Sequence, residues 1–263
     1  MMNRSYITLF FLLCLGLMQS QAQHAFFPEQ GIITYDKTIH VKNLLKRQLT
    51  LIPEGDMQRR FLENMIPNAP ETAVLQRTLN FTPTEVSVEP VPKNHEPFIA
   101  QLMQFGMLDY GTKFYQNFAK NESQVSLEFG GSAIMIKDSL PSVKWKITNE
   151  YRNIAGYDCR RANGLTQDSV YVVAFYTDQI PTPGGPNVIQ GLPGMILGLV
   201  IPEQNVNIYA SKVELTAAKV NTDLLKKKGE VASREDTRKK LLGSLGRFIK
   251  EKQFHYLFTA MFL

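Results

Sequence analysis

The chain has 263 residues, a formal charge of +5 at neutral pH, and two cysteines. Two cysteines cannot build a disulfide framework or a four-cysteine zinc site. With 44% hydrophobic and 20% charged residues the balance is that of a folded globular protein, and so small a net charge is no footprint of a nucleic-acid binder.

Residues 1–22 have the form of a secretory signal peptide. Arg4 precedes an apolar run over 6–18, which is shorter than the ~20 residues a membrane-spanning helix takes. Ser20 and Ala22 place small side chains at the −3 and −1 positions of a cleavage site after Ala22. Cleavage would remove Cys14 and leave Cys159 as the lone cysteine of a single domain over 23–263, exported to the periplasm or outer-membrane surface and soluble there.

Residues 31–40 are rich in β-branched side chains and predict a strand. Over 54–66, Met57, Phe61 and Met65 recur every four residues between Pro53 and Pro67, which predicts a helix with those three on its apolar face. Residues 79–90 predict one further strand, and the three prolines in 90–97 predict a loop. The Met- and Phe-rich stretch 98–108 has no clean period and reads as helix or partner-facing loop. Strand signals then follow at 114–118, 123–129, 132–138, 143–151 and 170–177, separated by polar or glycine-containing stretches with no sign of crossover helices. That pattern predicts an antiparallel meander and excludes a parallel doubly wound sheet.

In the segment 181–200, Pro181, Pro183, Gly184, Gly185 and Pro186 exclude both helix and central strand. Leu192, Pro193, Gly194 and Met195 fit a type II turn, with proline second and glycine at positive φ third. The apolar run after it predicts a buried strand. Residues 205–220 predict a long strand or a strand pair. Ser233 with Asp236 three residues on predicts a capped helix over 235–242. In the final stretch Phe254, Tyr256, Phe258 and Phe262 fall on alternate positions and predict a last core strand.

The string Gly191 to Leu197, together with Trp145, Lys146, Glu150, the stretch Ile154 to Ala162 with Tyr157 and Cys159, and the stretch Val173 to Pro186 with Tyr176, resembles the signature of the GLPGLI family of exported Bacteroidetes proteins. Phe175 and Met195 stand where that pattern has tryptophan and leucine. The resemblance implies an exported, mainly β protein of the cell envelope and no defined reaction.

Few residues point to chemistry. Cys159, flanked by Arg160 and Arg161, is a candidate thiol nucleophile or else a buried apolar side chain. The histidines at 24, 40, 95 and 255 lack metal-binding spacing, so no metal and no cofactor are expected. Asp36, Asp109, Asp138, Glu150, Asp158, Asp168 and Asp178 are scattered near strand ends. Basic residues from Lys226 to Lys252, Arg234 and Arg238 among them, could reach an anionic membrane surface.

These readings add up to an α+β, mainly β fold: a curved, half-barrel-like antiparallel sheet with a few packed helices. The function expected is an exported, non-enzymatic binding or accessory protein. It would hold a hydrophobic ligand, peptide or outer-membrane partner near Trp145, Tyr176, Gly191, Leu192, Pro193 and Gly194. An envelope hydrolase or thiol enzyme using Cys159, and a structural subunit of an outer-membrane receptor complex, are the alternatives.

Overall fold

The computed structural model describes residues 29–129, 132–222 and 231–263. The expected leader at 1–22 with Cys14, His24, and the lysines at 226–228 lie outside the described residues.

The chain opens with β1 (Gly31–Ile39), whose side chains alternate strictly between buried and half-buried, the period of a strand with one face on a core. Two helices follow. In α1 (Val41–Leu49), Val41, Leu44, Leu45 and Gln48 form the buried face. α2 (Met57–Met65) starts at Asp56, whose carboxylate accepts the Gln58 N–H at 2.8 Å. The helix expected from Met57, Phe61 and Met65 exists, but its inner face is Leu62 and Met65. Met57 is 84% exposed and Phe61 packs outward, edge-on to Phe105 at 5.8 Å. A single turn of 3-10 helix, Ile66–Asn68, ends this part.

The stretch expected as one strand is the bend of a hairpin between β2 (Ala73–Phe81) and β3 (Glu85–Pro90). Helix α3 (Pro97–Gln104) follows, then six strands: β4 (Lys113–Asn117), β5 (Glu122–Phe129), β6 (Ser132–Asp138), β7 (Val143–Ile154), β8 (Tyr157–Thr166) and β9 (Tyr171–Thr177). The expected meander is split into two antiparallel runs, β4-β5-β6 and β7-β8-β9, because β6 does not pair with β7. After a long loop come β10 (Met195–Ile201), buried as expected, and a single strand β11 (Val206–Glu214). The C-terminal part holds the two-residue β12 (Val231–Ala232) and helices α4 (Arg234–Leu245) and α5 (Glu251–Ala260). The cap of α4 is as expected, Ser233 Oγ accepting the Asp236 N–H at 3.0 Å. The ending is not the expected strand. Phe254, Phe258 and Phe262 are spaced by four, so they satisfy the helical period as well as the period of two, and they form a ladder down α5 and just past its end, Phe254 stacked on Phe258 and Phe258 edge-on to Phe262.

All twelve strands form one open sheet in the order β12-β6-β5-β4-β3-β2-β1-β11-β10-β9-β8-β7. Its pairs are antiparallel apart from β12 with β6, so the sheet is mixed. The order forces curvature. β6 and β7 stand ten interstrand steps apart, about 48 Å in a flat sheet. Yet the connection between them is residues 139–142, which can reach about 19 Å at full extension. The sheet therefore curls until its two ends face each other across a seam. Inside the curl lie the inner rows of β1 and β2, α5, and most of the loop 178–194.

Candidate functional site

The loop from β9 to β10 braces the interior. It crosses from one half of the curl to the other: Thr182 Oγ1 donates to the Thr82 carbonyl at 2.9 Å and Gln116 Nε2 to the Val188 carbonyl at 2.9 Å. Two tight bends fix its path. Gly184 N–H donates to the Thr182 carbonyl at 2.9 Å and Gly194 N–H to the Leu192 carbonyl at 2.8 Å. Each closes a three-residue γ-turn with proline, Pro183 or Pro193, at its centre, where the fixed proline φ suits the inverse form. The expected type II turn at Leu192 to Met195 is thus a tighter one. Met195 N–H is free of it and pairs with the Ile180 carbonyl at 2.9 Å.

The residues singled out in the sequence gather around this brace. Trp145, on β7, lies over Gly164 of β8, where any Cβ would sit 2.5 Å from Trp145 Cζ3, and its indole N–H donates to the Gln190 carbonyl at 3.0 Å. Gly191 is exposed with φ +94°, and a Cβ added there would lie 3.6 Å from the same indole nitrogen. Leu192, Gly194 and Tyr176 are buried, while Pro193 is exposed. These residues hold the loop against the sheet, and their side chains are largely spent on doing so.

Cys159 is fully buried on β8, its thiol 3.5 Å from the Tyr157 carbonyl. Burial, reinforced by the neighbouring Asp158 charge, pushes the thiol up to about 12. It is therefore protonated near neutral pH, opposite to what a nucleophile needs. The expected result with iodoacetamide at about pH 8 is that native protein stays unlabelled over a period that completes labelling in urea. Labelling at equal rates would show the thiol to be exposed.

The scattered acids have separate fates. Asp36 accepts from Gln76, Glu150 pairs with Arg161 at 2.6 Å, and Asp158 accepts from Asn153. Asp109 is buried between Lys37 at 3.3 Å and Arg77 at 2.8 Å. Burial alone would raise its carboxyl, but the two cations and their hydrogen bonds pull it down to about 2. His40 contacts Asn207 at 3.1 Å. Among the described residues no three His, Cys, Asp or Glu side chains converge as a metal site would require.

Asp138 and Asp168 do come together, at the seam. There the two ends of the sheet leave a cleft of about 330 Å³. Its floor is apolar, formed by Val125 and Ile136 from one end, Val143 from the other, and Val188, Ile189 and Phe262 from the interior. Its rim carries Asp138, Asp168, Arg234, Glu235 and Arg238. The Arg234 backbone N–H donates to Asp138 Oδ2 at 2.6 Å, and its Nη1 meets Asp168 Oδ2 at 2.6 Å. The Arg234 guanidinium lies 4.1 Å over the Phe262 ring and 5.2 Å over Phe258. One arginine thus ties α4 to both ends of the sheet and to α5. A second, more open hollow of about 380 Å³ on the other side of Arg238 is lined by Leu51 and Tyr256 together with charged side chains, Arg47 and Glu203 among them, which pair with each other at 2.9 Å.

Sequence reading missed this cleft. The basic C-terminal residues were visible, and so were the acids. Their meeting depends on which strands stand at the sheet ends, and no local pattern states that.

A family model described as "Protein of unknown function (Porph_ging)" matches residues 164–198, from within β8 through β9 and the bracing loop into β10. The matched stretch contains Gly191 to Leu197. No curated protein matches by sequence. Among solved structures the chain is similar to PNGF-II, determined in a C2 crystal form, with a TM-score of 0.52 and 14% identity over 82% of this chain and 33% of that one. At that identity the likeness shows the fold alone, a mainly β architecture. This chain matches about a third of the length of that protein.

Proposed function

We propose that this is an exported, non-enzymatic binding protein of the cell envelope, of the GLPGLI kind, which holds a hydrophobic ligand in the seam cleft. The observation that carries the reading is the apolar floor of that cleft, open to solvent where the sheet ends fail to meet. Its volume lies at the lower end of ordinary ligand sites, which run from ~300 to ~1,000 Å³. The acids on its rim are engaged, Asp138 by the Arg234 backbone N–H and Asp168 and Glu235 by basic side chains, rather than poised as a catalytic pair. The leader at 1–22 supports export, and the GLPGLI resemblance supports an envelope location, periplasmic or at the outer membrane.

The test is a titration with the neutral apolar dye N-phenylnaphthylamine. Saturable one-site binding is expected. Ser142 lies exposed on the cleft rim, so Ser142→Trp should fill the opening and remove most of that affinity while leaving the unfolding midpoint unchanged. Absence of saturable binding, or equal binding by the variant, would refute the assignment of this cleft.

A further inference from the structure

We propose that the ligand of the seam cleft is a single-chain amphiphile with an anionic headgroup, a medium-chain carboxylate in its simplest form, and that Arg238 is the headgroup's partner. The inference rests on the reading of the cleft as a binding site and adds the class of molecule.

The charges around the rim point to the headgroup. Three acids and two arginines face the cleft. Each acid already has a partner: Asp138 accepts the Arg234 backbone N–H, Asp168 pairs with the Arg234 side chain, and Glu235 pairs with Lys239 at 2.7 Å. The cations are less fully matched. Among the described residues Arg238 has its nearest carboxylate, Glu251, at 3.9 Å, and that glutamate side chain is 81% exposed. Arg234 keeps a buried Nε that finds no hydrogen-bond partner among the described residues. Among the charged groups of the rim, the donors left over therefore belong to the guanidinium groups, while each carboxylate already has a partner.

Both guanidinium groups are also held in place before any ligand arrives. Arg234 and Arg238 are one helical turn apart on α4, and the Phe ladder of α5 runs beneath them. Arg234 lies over Phe262 and Phe258, and Arg238 lies 5.6 Å over Phe254. A guanidinium stacked on a ring loses little further freedom when it binds a carboxylate, and its planar fork matches the two oxygens. The chain of such a ligand would lie on Val125, Ile136, Val188 and Ile189. The cleft's volume is that of roughly eleven liquid waters, room for a medium-length chain and too little for a multi-chain lipid.

Isothermal titration of the purified protein near pH 8 with dodecanoate and dodecyltrimethylammonium below their micellar concentrations, and dodecanol below its solubility limit, separates the parts. Dodecanoate should bind about tenfold more tightly than dodecanol, the worth of a charge-assisted hydrogen bond, and the preference should shrink as salt rises. Arg238→Gln should bring dodecanoate to the level of dodecanol and leave dodecanol unchanged, while Arg238→Lys should keep most of the preference. Equal binding of acid and alcohol, or tighter binding of the ammonium, would overturn the headgroup assignment with the cleft reading intact. So would an Arg238→Gln variant that weakens dodecanol as much as dodecanoate. If none of the three binds, the cleft reading itself falls, and the headgroup with it.

Discussion

Replacing Gly194 by alanine should destabilise the fold by about 4 kcal/mol or more, at the upper end of what single substitutions do. Gly194 closes the second γ-turn of the bracing loop at φ +145°, a backbone region that L side chains rarely adopt. A Cβ there would fall inside the contact distance of the Thr177 carbonyl oxygen, 2.7 Å from its carbon and 3.0 Å from Asp178 Cα. All three are backbone atoms at the end of β9, so no rotamer change relieves the clash. The neighbouring bonds would go too. Met195 N–H to Ile180 and Ile196 N–H to Gly184, at 2.9 and 2.8 Å, seat the start of β10 on the loop. Gly111→Ala is the control, because Gly111 also has positive φ, +58°, but nothing lies within 4 Å of an added Cβ. That change should cost about 1–2 kcal/mol from backbone conformation alone. Trp145, the one tryptophan, is hydrogen-bonded to the loop at Gln190 and reports both variants by fluorescence in urea unfolding. A Gly194→Ala variant no less stable than Gly111→Ala would mean the loop can shift without loss, and its role as a brace would be wrong.

The sequence displays the strands well where one face is wet. In β1 the buried positions are Ile33, Tyr35, Lys37 and Ile39, and in β2 they are Ala73, Leu75, Arg77, Leu79 and Phe81. Alternation finds β1 readily, and carried along both strands it would have flagged Lys37 and Arg77 as cations on a core line. It could not find Asp109, which sits in irregular chain after α3 and lies 72 residues from Lys37. Helix α1 was legible in principle from Val41, Leu44, Leu45 and Gln48, but only nine residues long it is easily absorbed into a loop. In α2 the four-residue spacing of Met57, Phe61 and Met65 is real, yet only Met65 of the three reaches the core, beside Leu62. The period gives a helix; which flank faces inward depends on what packs against it. The C-terminal aromatics failed because even spacing serves two periods at once. The seam was least legible. Strands adjacent in sequence usually pair, yet β6 and β7, joined by residues 139–142, stand at opposite ends of the sheet. That arrangement follows from the long-range pairing of β1 with β11, which no local signal announces.

Asp109→Asn should destabilise the protein by about 3–5 kcal/mol, the usual result of removing one member of a buried ionic cluster. Lys37, Arg77 and Asp109 are all less than a tenth exposed. Arg77 also donates to the Thr112 carbonyl at 2.9 Å and lies 5.5 Å over Phe114, so it cannot swing out to water without losing both contacts. Burial lowers the Lys37 pKa, and repulsion from Arg77 adds to that, so the cluster depends on the single carboxylate for compensation. Two further measurements isolate the cause. Substituting the whole cluster with Lys37→Met, Arg77→Met and Asp109→Leu removes charges and partners together, and should destabilise by less than Asp109→Asn alone. If the triple variant is the weaker of the two, packing rather than stranded charge explains the loss. The pH dependence has a definite sign. The folded carboxyl, at about 2, lies below its ordinary 3.8, so folding binds fewer protons there than unfolding does. Its contribution is complete above about pH 4, and about 2 kcal/mol is lost as pH falls through 2. Asp109→Asn has no such group to titrate. Its acid-unfolding curve should lose that part of the slope between pH 4 and 2, and an unchanged slope would assign the acid sensitivity to other carboxylates.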